Sequence, residues 1–224
     1  MEMLSEHLKE GTLVVSGNGT ACVVGGQVFT TKEGTRFIEN SGMASMGYDL
    51  PAAIGASLAA GRREVLLLTG DGSIQMNLQE LQTIVGQNLP IKIVIFNNDG
   101  YHSIRQSQSN FFKDRKMVGI GPESKDLTFP DMSRIAWAYR IPYYRIQTNR
   151  GMKRFLKEQY DSIDSYAIIE VMTDTVQFFE PKAGSMRLSD GKMVSAPLED
   201  LKPYLEREEL EKEMIIPLFD GKEK

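Results

Sequence analysis

The feature that most constrains this chain is a series of short, unbroken apolar runs, rich in β-branched residues, set between segments of helical periodicity. The runs are Leu13-Val14-Val15, residues 64–69 (EVLLLT), 92–97 (KIVIFN), 143–147 (YYRIQ) and 167–172 (AIIEVM). A continuous apolar run of this length suits a strand covered on both faces, as in a parallel sheet; a strand with one wet face alternates instead. The intervening segments read as helices. Residues 51–60 (PAAIGASLAA) open on a proline, which suits a first helical turn, and stop at Gly61. Asn77, with Glu80 three residues on, reads as a helix cap, and behind it Leu78, Leu81, Ile84 and Val85 share a face. Residues 131–139 and 150–160 also read as helices, and MEMLSEHLKE as a short amphipathic helix ending at Gly11. Strand alternating with helix predicts an α/β fold: a doubly wound, mainly parallel sheet with helices on both faces.

Bulk properties narrow the classes. With 224 residues and 41% hydrophobic content, the chain can bury a core without disulfides. Its one cysteine, Cys22, forms no internal disulfide and fits a reducing cytoplasm. A net charge of −4 with no dominant basic patch argues against nucleic acid as partner. Runs such as 65–68 and 93–96 are too short to span a bilayer, and the charged first residues lack a signal peptide's apolar stretch. The expected organisation is one domain over residues 1–180 and a C-terminal arm over 181–224. In the arm, Gly, Ser, Pro and charges take over, LEREELEKE (205–213) reads as a short charged helix, and MIIPLF adds an apolar patch.

Two turn signals directly follow two of the strands: Gly70-Asp71-Gly72-Ser73 after EVLLLT, and Asn97-Asn98-Asp99-Gly100 after KIVIF. Either alone is an ordinary turn. Together they close two buried strands one crossover apart, with Asn98 27 positions after Asp71. Open α/β sheets bind ligands outside the carboxyl ends of their strands. Neighbouring strands lie about 4.8 Å apart, so a carboxylate and an amide oxygen can reach one ion. Hard oxygen ligands favour Mg²⁺ or Ca²⁺ over zinc, and Mg²⁺ takes few protein ligands, leaving positions for water and phosphate. Gly70, Gly72 and Gly100 let the backbone turn N–H groups toward an anion.

The stretch GDGSIQMNLQELQTIVGQNLPIKIVIFNN resembles the cofactor motif of thiamine diphosphate enzymes, which begins GDG and ends NN. SGMASMGYDLPAAIGASLA upstream, together with GDGSIQMN, is similar to the acetolactate synthase branch, and the likeness spans roughly residues 11–172. The resemblance implies a C-terminal diphosphate-binding domain with thiamine diphosphate and Mg²⁺ as cofactors. It implies that Asp71 and Asn98 bind the metal through side chains and Gly100 through its carbonyl. Gly72, Ser73, Tyr101, His102, Gly19 and Thr20 are then expected at the diphosphate, with Met46 wedged under the bent cofactor. The Ala44 carbonyl is expected to accept from the pyrimidine amino group. Read without the resemblance, Met46 is equally a core residue, His102 a surface histidine, His7 a solvated one, and Asp49 a helix-start residue.

The resemblance also sets out departures. Such enzymes carry an activating glutamate in a pyrimidine-binding domain, which is expected to lie outside this chain; the expectation is an excised domain or one subunit of a split enzyme. No catalytic residue is assigned here, the isolated chain is expected to be inactive, and no FAD is expected. GYHSIRQSQ (100–108) stands where acetolactate synthases have a segment like GLGMVRQWQ, so Ser103 and Ser107 replace Met and Trp. Thr20 and Ala21 stand where Gln-His is common. The tail MRLSDGKMVSAPLEDLKPYL resembles synthase-like proteins of polysaccharide and branched-sugar pathways. The implied activity is decarboxylation of a 2-keto acid and carboligation, with a pyrimidine-binding domain or subunit as partner and self-association into a homo-oligomer. Two alternatives stay open: a 2-keto acid decarboxylase or keto-sugar acyl-transferase subunit of the same cofactor class, and a non-catalytic nucleotide-binding or assembly module.

Overall fold

The computed structural model describes residues 1–112, 117–187 and 191–218. The chain divides into two compact units, Met1–Gln177 and Phe178–Lys224. The first begins with α1 (Glu2–His7), β1 (Leu13–Ser16), α2 (Thr20–Val28), β2 (Arg36–Glu39), α3 (Asp49–Ala59) and β3 (Val65–Gly70). A 3-10 segment over Ser73–Glu80 leads into α4 (Leu81–Gln87), followed by β4 (Ile91–Asn97) and α5 (His102–Phe111). Then come α6 (Met132–Tyr139), β5 (Tyr143–Ile146), α7 (Asn149–Glu158) and β6 (Ala167–Met172).

The strands form a single parallel sheet in the order β2-β1-β3-β4-β6-β5. The runs of β1, β3 and β4 are buried almost throughout, β5 only at Ile146, and alternate side chains feed two separate cores. Val15, Val65, Leu67, Ile91, Ile93 and Ile95 pack with Leu50 and Ile54 of α3, Leu81 and Ile84 of α4, and Met132 of α6. Val14, Leu66, Leu68, Val94 and Phe96 pack on the other face with Leu4 of α1, Ala21 of α2, and Met152, Phe155 and Leu156 of α7. Two cores separated by a sheet require every central strand to be apolar on both faces, which is why the runs show no alternation.

Three local expectations differ from the structure. Asn77 is not a helix cap: its φ of −136° marks a kink inside Ser73–Glu80, and its Nδ2 donates to Gly47 O at 2.6 Å. Strand β2 has no counterpart in the sequence reading, because RFIE is short and edge-placed, with an exposed-to-intermediate pattern. The leading helix stops at His7 rather than reaching Gly11.

The second unit has two small antiparallel pairings, β7 (Lys182–Ala183) with β10 (Leu201–Lys202), and β8 (Ser185–Arg187) with β9 (Met193–Ser195). The charged helix α8 runs Arg207–Glu213, shorter than LEREELEKE, and Ile215 and Ile216 are exposed. Residues 188–190 of the tail motif and Phe219 of MIIPLF lie outside the described residues.

Candidate functional site

The strand order reverses at β1 and β3: the chain steps from β1 outward to β2, then crosses to the opposite side of β1. Such a switch point opens a crevice at the carboxyl ends of the strands. The turns after β1, β3 and β4 meet there. β3 and β4 are in register with Gly70 beside Phe96, which places Asp71 next to the Asn97-Asn98 turn. Gly19, Thr20, Met46, Gly70, Asp71, Gly72, Ser73, Asn98, Gly100, Tyr101 and His102 all line one cavity of about 200 Å³. Of the residues expected at the site, Ala44 is absent from its walls; its carbonyl accepts a hydrogen bond from Asn18 Nδ2, and Asn18 is a wall residue. Ser103 and Ile104 also line the cavity.

Asp71 is 2% exposed. One carboxylate oxygen accepts Gly72 N–H at 3.1 Å, the other Gly100 N–H at 3.0 Å. The second bond ties the two turns together across the strand pair. Burial pushes the Asp71 carboxyl up to about 7, against the lowering pull of those two N–H groups. Asn98 is also buried. Its Nδ2 donates to Thr20 Oγ1 at 3.1 Å, linking the first turn to the third. Its Oδ1 is buried with no hydrogen-bond partner among the described residues. A buried amide oxygen left without a donor costs about 1–3 kcal/mol, so its position calls for a ligand.

The glycines are fixed by what surrounds them. A Cβ at Gly72 would sit 2.4 Å from the Tyr101 ring, which packs edge-on against Phe129. A Cβ at Gly100 would lie 2.0 Å from Ile120 O, and Gly100 holds a φ of +153° that side-chain-bearing residues rarely adopt. Asp99 before it also has positive φ, +54°.

The turn is held from behind by Arg105, which the sequence reading left unassigned. Arg105 is 4% exposed. Its guanidinium donates to Asn98 O at 3.3 Å and Asp99 O at 3.0 Å, and pairs with Glu123. Its Nη1 also lies 3.4 Å from His102 Nδ1. His102 is therefore no surface histidine: it is 5% exposed, at the first turn of α5 beside a buried cation. His7 is part-buried 3.4 Å from Asp161 rather than fully solvated. Met46 is 37% exposed at the cavity, so it is not core. Asp49 does open α3, accepting Leu50 N–H at 2.9 Å, and is fully buried, its other oxygen packed where a Gly17 Cβ would be. Burial raises its carboxyl.

The sequence profile of the family described as "Thiamine pyrophosphate enzyme, C-terminal TPP binding domain" matches residues 17–171. The chain belongs to that family. Among relatives, it is 31% identical over 170 residues to acetolactate synthase 1, chloroplastic, of Oryza sativa subsp. japonica, covering 75% of this chain and 26% of that one. It is 32% identical over 166 residues to the chloroplastic acetolactate synthase of Arabidopsis thaliana, covering 73% and 25%. It spans about a quarter of the length of these relatives. The crystal structure of benzoylformate decarboxylase from Polynucleobacter necessarius shares the fold, with TM-score 0.65 and 24% identity over 79% of this chain and 33% of that one.

The family's cofactor can be tried against the residues present. The oxygen groups at the cavity include the Asp71 carboxylate, the Asn98 amide, the hydroxyls of Thr20 and Ser73, and backbone groups, a hard set suited to a cation completed by phosphate oxygens. Among the described residues no group of three or more His, Cys, Asp or Glu is placed to hold a metal by itself. The buried Asn98 Oδ1, without a hydrogen-bond partner among the described residues and in the same cavity as the Asp71 carboxylate, matches that requirement.

Proposed function

We propose that this chain holds the Mg²⁺-diphosphate end of thiamine diphosphate in an acetolactate synthase-like enzyme acting on a 2-keto acid. Asp71, Asn98 and the Gly100 carbonyl would hold the metal. Backbone N–H groups of Gly72, Ser73, Tyr101 and His102, with Gly19 and Thr20, would face the diphosphate. Met46 would support the bent cofactor, and the Ala44 carbonyl would receive the pyrimidine amino group. The observation that carries this reading is the buried Asn98 Oδ1, without a partner among the described residues, in one cavity with an Asp71 carboxylate whose protonation burial favours. A divalent cation removes both costs at once.

Bound thiamine diphosphate supplies carbanion stabilisation for decarboxylation and carboligation. This chain's residues anchor and orient it. The activating glutamate comes from a pyrimidine-binding domain or subunit, and the chain by itself does not turn over. Met46 and Ile104, large apolar side chains 37% and 45% exposed at the cavity, favour a site covered by such a partner in an oligomer. The free Cys22 fits a reducing compartment such as the cytoplasm. Among the described residues no helix is long and apolar enough to cross a membrane.

The test is product analysis of the enzyme assembled with its pyrimidine-domain partner, given pyruvate with and without an aldehyde or keto-sugar acceptor. CO₂ release with a new carbon–carbon bond is expected, and both should vanish in Asp71→Ala. Turnover indifferent to that change, or CO₂ release by the chain alone, would overturn the proposal.

A further inference from the structure

The Asn97–Gly100 turn is anchored to a second polar centre outside the proposed metal site. Glu170 sits on β6, between β4 and β5, and is 3% exposed. A carboxylate this deep is costly unless donors surround it. Three do. Asn97 Nδ2 donates to Oε1 at 2.7 Å, Tyr143 OH donates to Oε2, and Arg145 Nε lies 3.6 Å from Oε2. Burial first, then Glu170, raises the Tyr143 hydroxyl well above its usual range, so it stays a donor. Arg145 is about half exposed, and solvent weakens its share.

Glu170 Oε1, accepting from Asn97 Nδ2, dictates which way the Asn97 amide faces: the NH₂ turns to Glu170 and the oxygen turns to the chain ahead. There Asn97 Oδ1 accepts Asp99 N–H at 2.9 Å. That bond holds a turn in which Asp99 takes positive φ and Gly100 N–H reaches Asp71 Oδ2 at 3.0 Å. We propose that Glu170 is a positioning residue for the Asn97–Gly100 turn, acting through the Asn97 amide to set where Asn98 and Gly100 stand relative to Asp71. Its bearing on cofactor binding rests on the proposed metal site; its hold on the turn does not.

With Leu at 170 the acceptor of the Asn97 NH₂ is gone, and nothing then fixes which way that amide faces. The consequence is local, at the turn, and not in the sheet.

The experiment is residue-resolved amide hydrogen exchange on the full chain, comparing wild type with Glu170→Leu and Asn97→Ala. Exchange at Asp99 and Gly100 should rise about five- to tenfold in each variant, as loss of one hydrogen bond implies. Leu66 and Ile93 should keep wild-type protection, which a merely structural loss would not allow. The double variant should exchange no faster at Asp99 than Asn97→Ala alone. Unchanged exchange at the turn in Glu170→Leu, a uniform rise across the sheet, or additive effects in the double variant would overturn the inference. A parallel titration of the wild type, with the pyrimidine-domain partner present, by Mg²⁺ and thiamine diphosphate separates the two claims. Failure there rejects the metal reading while leaving the positioning result to stand or fall on exchange.

Discussion

At the scale of single residues, Asp71 governs the site's response to pH. The folded carboxyl keeps its proton to about pH 7, whereas its ordinary value is 3.8. Between those values the folded state binds more protons than the unfolded one, so metal-free stability falls as pH rises through this window. Melting followed by circular dichroism should show Tm dropping by several degrees from pH 4 to 8. Asp71→Asn should flatten that drop, and Mg²⁺ with thiamine diphosphate should raise Tm more at pH 8 than at pH 6. Arg105 gives a second expectation. Arg105→Ala leaves the Asn98 and Asp99 carbonyls without their donor and should cost about 2–3 kcal/mol in urea unfolding. Arg105→Lys should not restore it, since an ammonium cannot span both carbonyls and Glu123 as the guanidinium fork does. Asp71 and Asn98 were legible in the sequence because each follows an apolar run and carries a hard oxygen. Arg105 and Glu170 were not: one lies within a helix and the other within a strand, and only the fold shows them aimed at the turn.

The elements carry their own constraint through the glycines of GDG and NNDG. Gly72 has an ordinary φ of −81°, so its need for hydrogen comes from the Tyr101 ring. Gly72→Ala should cost about 1–3 kcal/mol by overpacking. Tyr101→Ala in the same chain should recover much of it, which a double-mutant cycle in urea measures. Gly100→Ala has no such remedy, because the obstacle is the Ile120 carbonyl and the backbone conformation itself. Long apolar runs announced β3, β4 and β6, and their helices followed from periodicity. β2 escaped because an edge strand need not be apolar on both faces. Asn77 misled because a helix-capping pattern served instead as a side-chain tie to Gly47 across the crevice. The helix α2 was likewise unread: TACVVGGQV carries two glycines and little polar contrast, so its helical face does not show in the sequence.

For the whole molecule, topology explains why the site exists where it does. The order β2-β1-β3-β4-β6-β5 opens its crevice at β1/β3, and the three turns that meet there come from stretches far apart in sequence. The sequence showed the alternation that implies such a sheet. It could not show the order, which depends on how the two cores pack. The central claim is that Asp71 and Asn98 hold a metal-bound diphosphate. The most direct measurement is a calorimetric titration of the chain, with its pyrimidine-domain partner present, by thiamine diphosphate with and without Mg²⁺. Binding should require Mg²⁺, and Asp71→Ala should weaken it more than about 100-fold, beyond what loss of a supporting residue around a metal costs. Equal affinity in wild type and Asp71→Ala, or binding indifferent to Mg²⁺, would contradict the account.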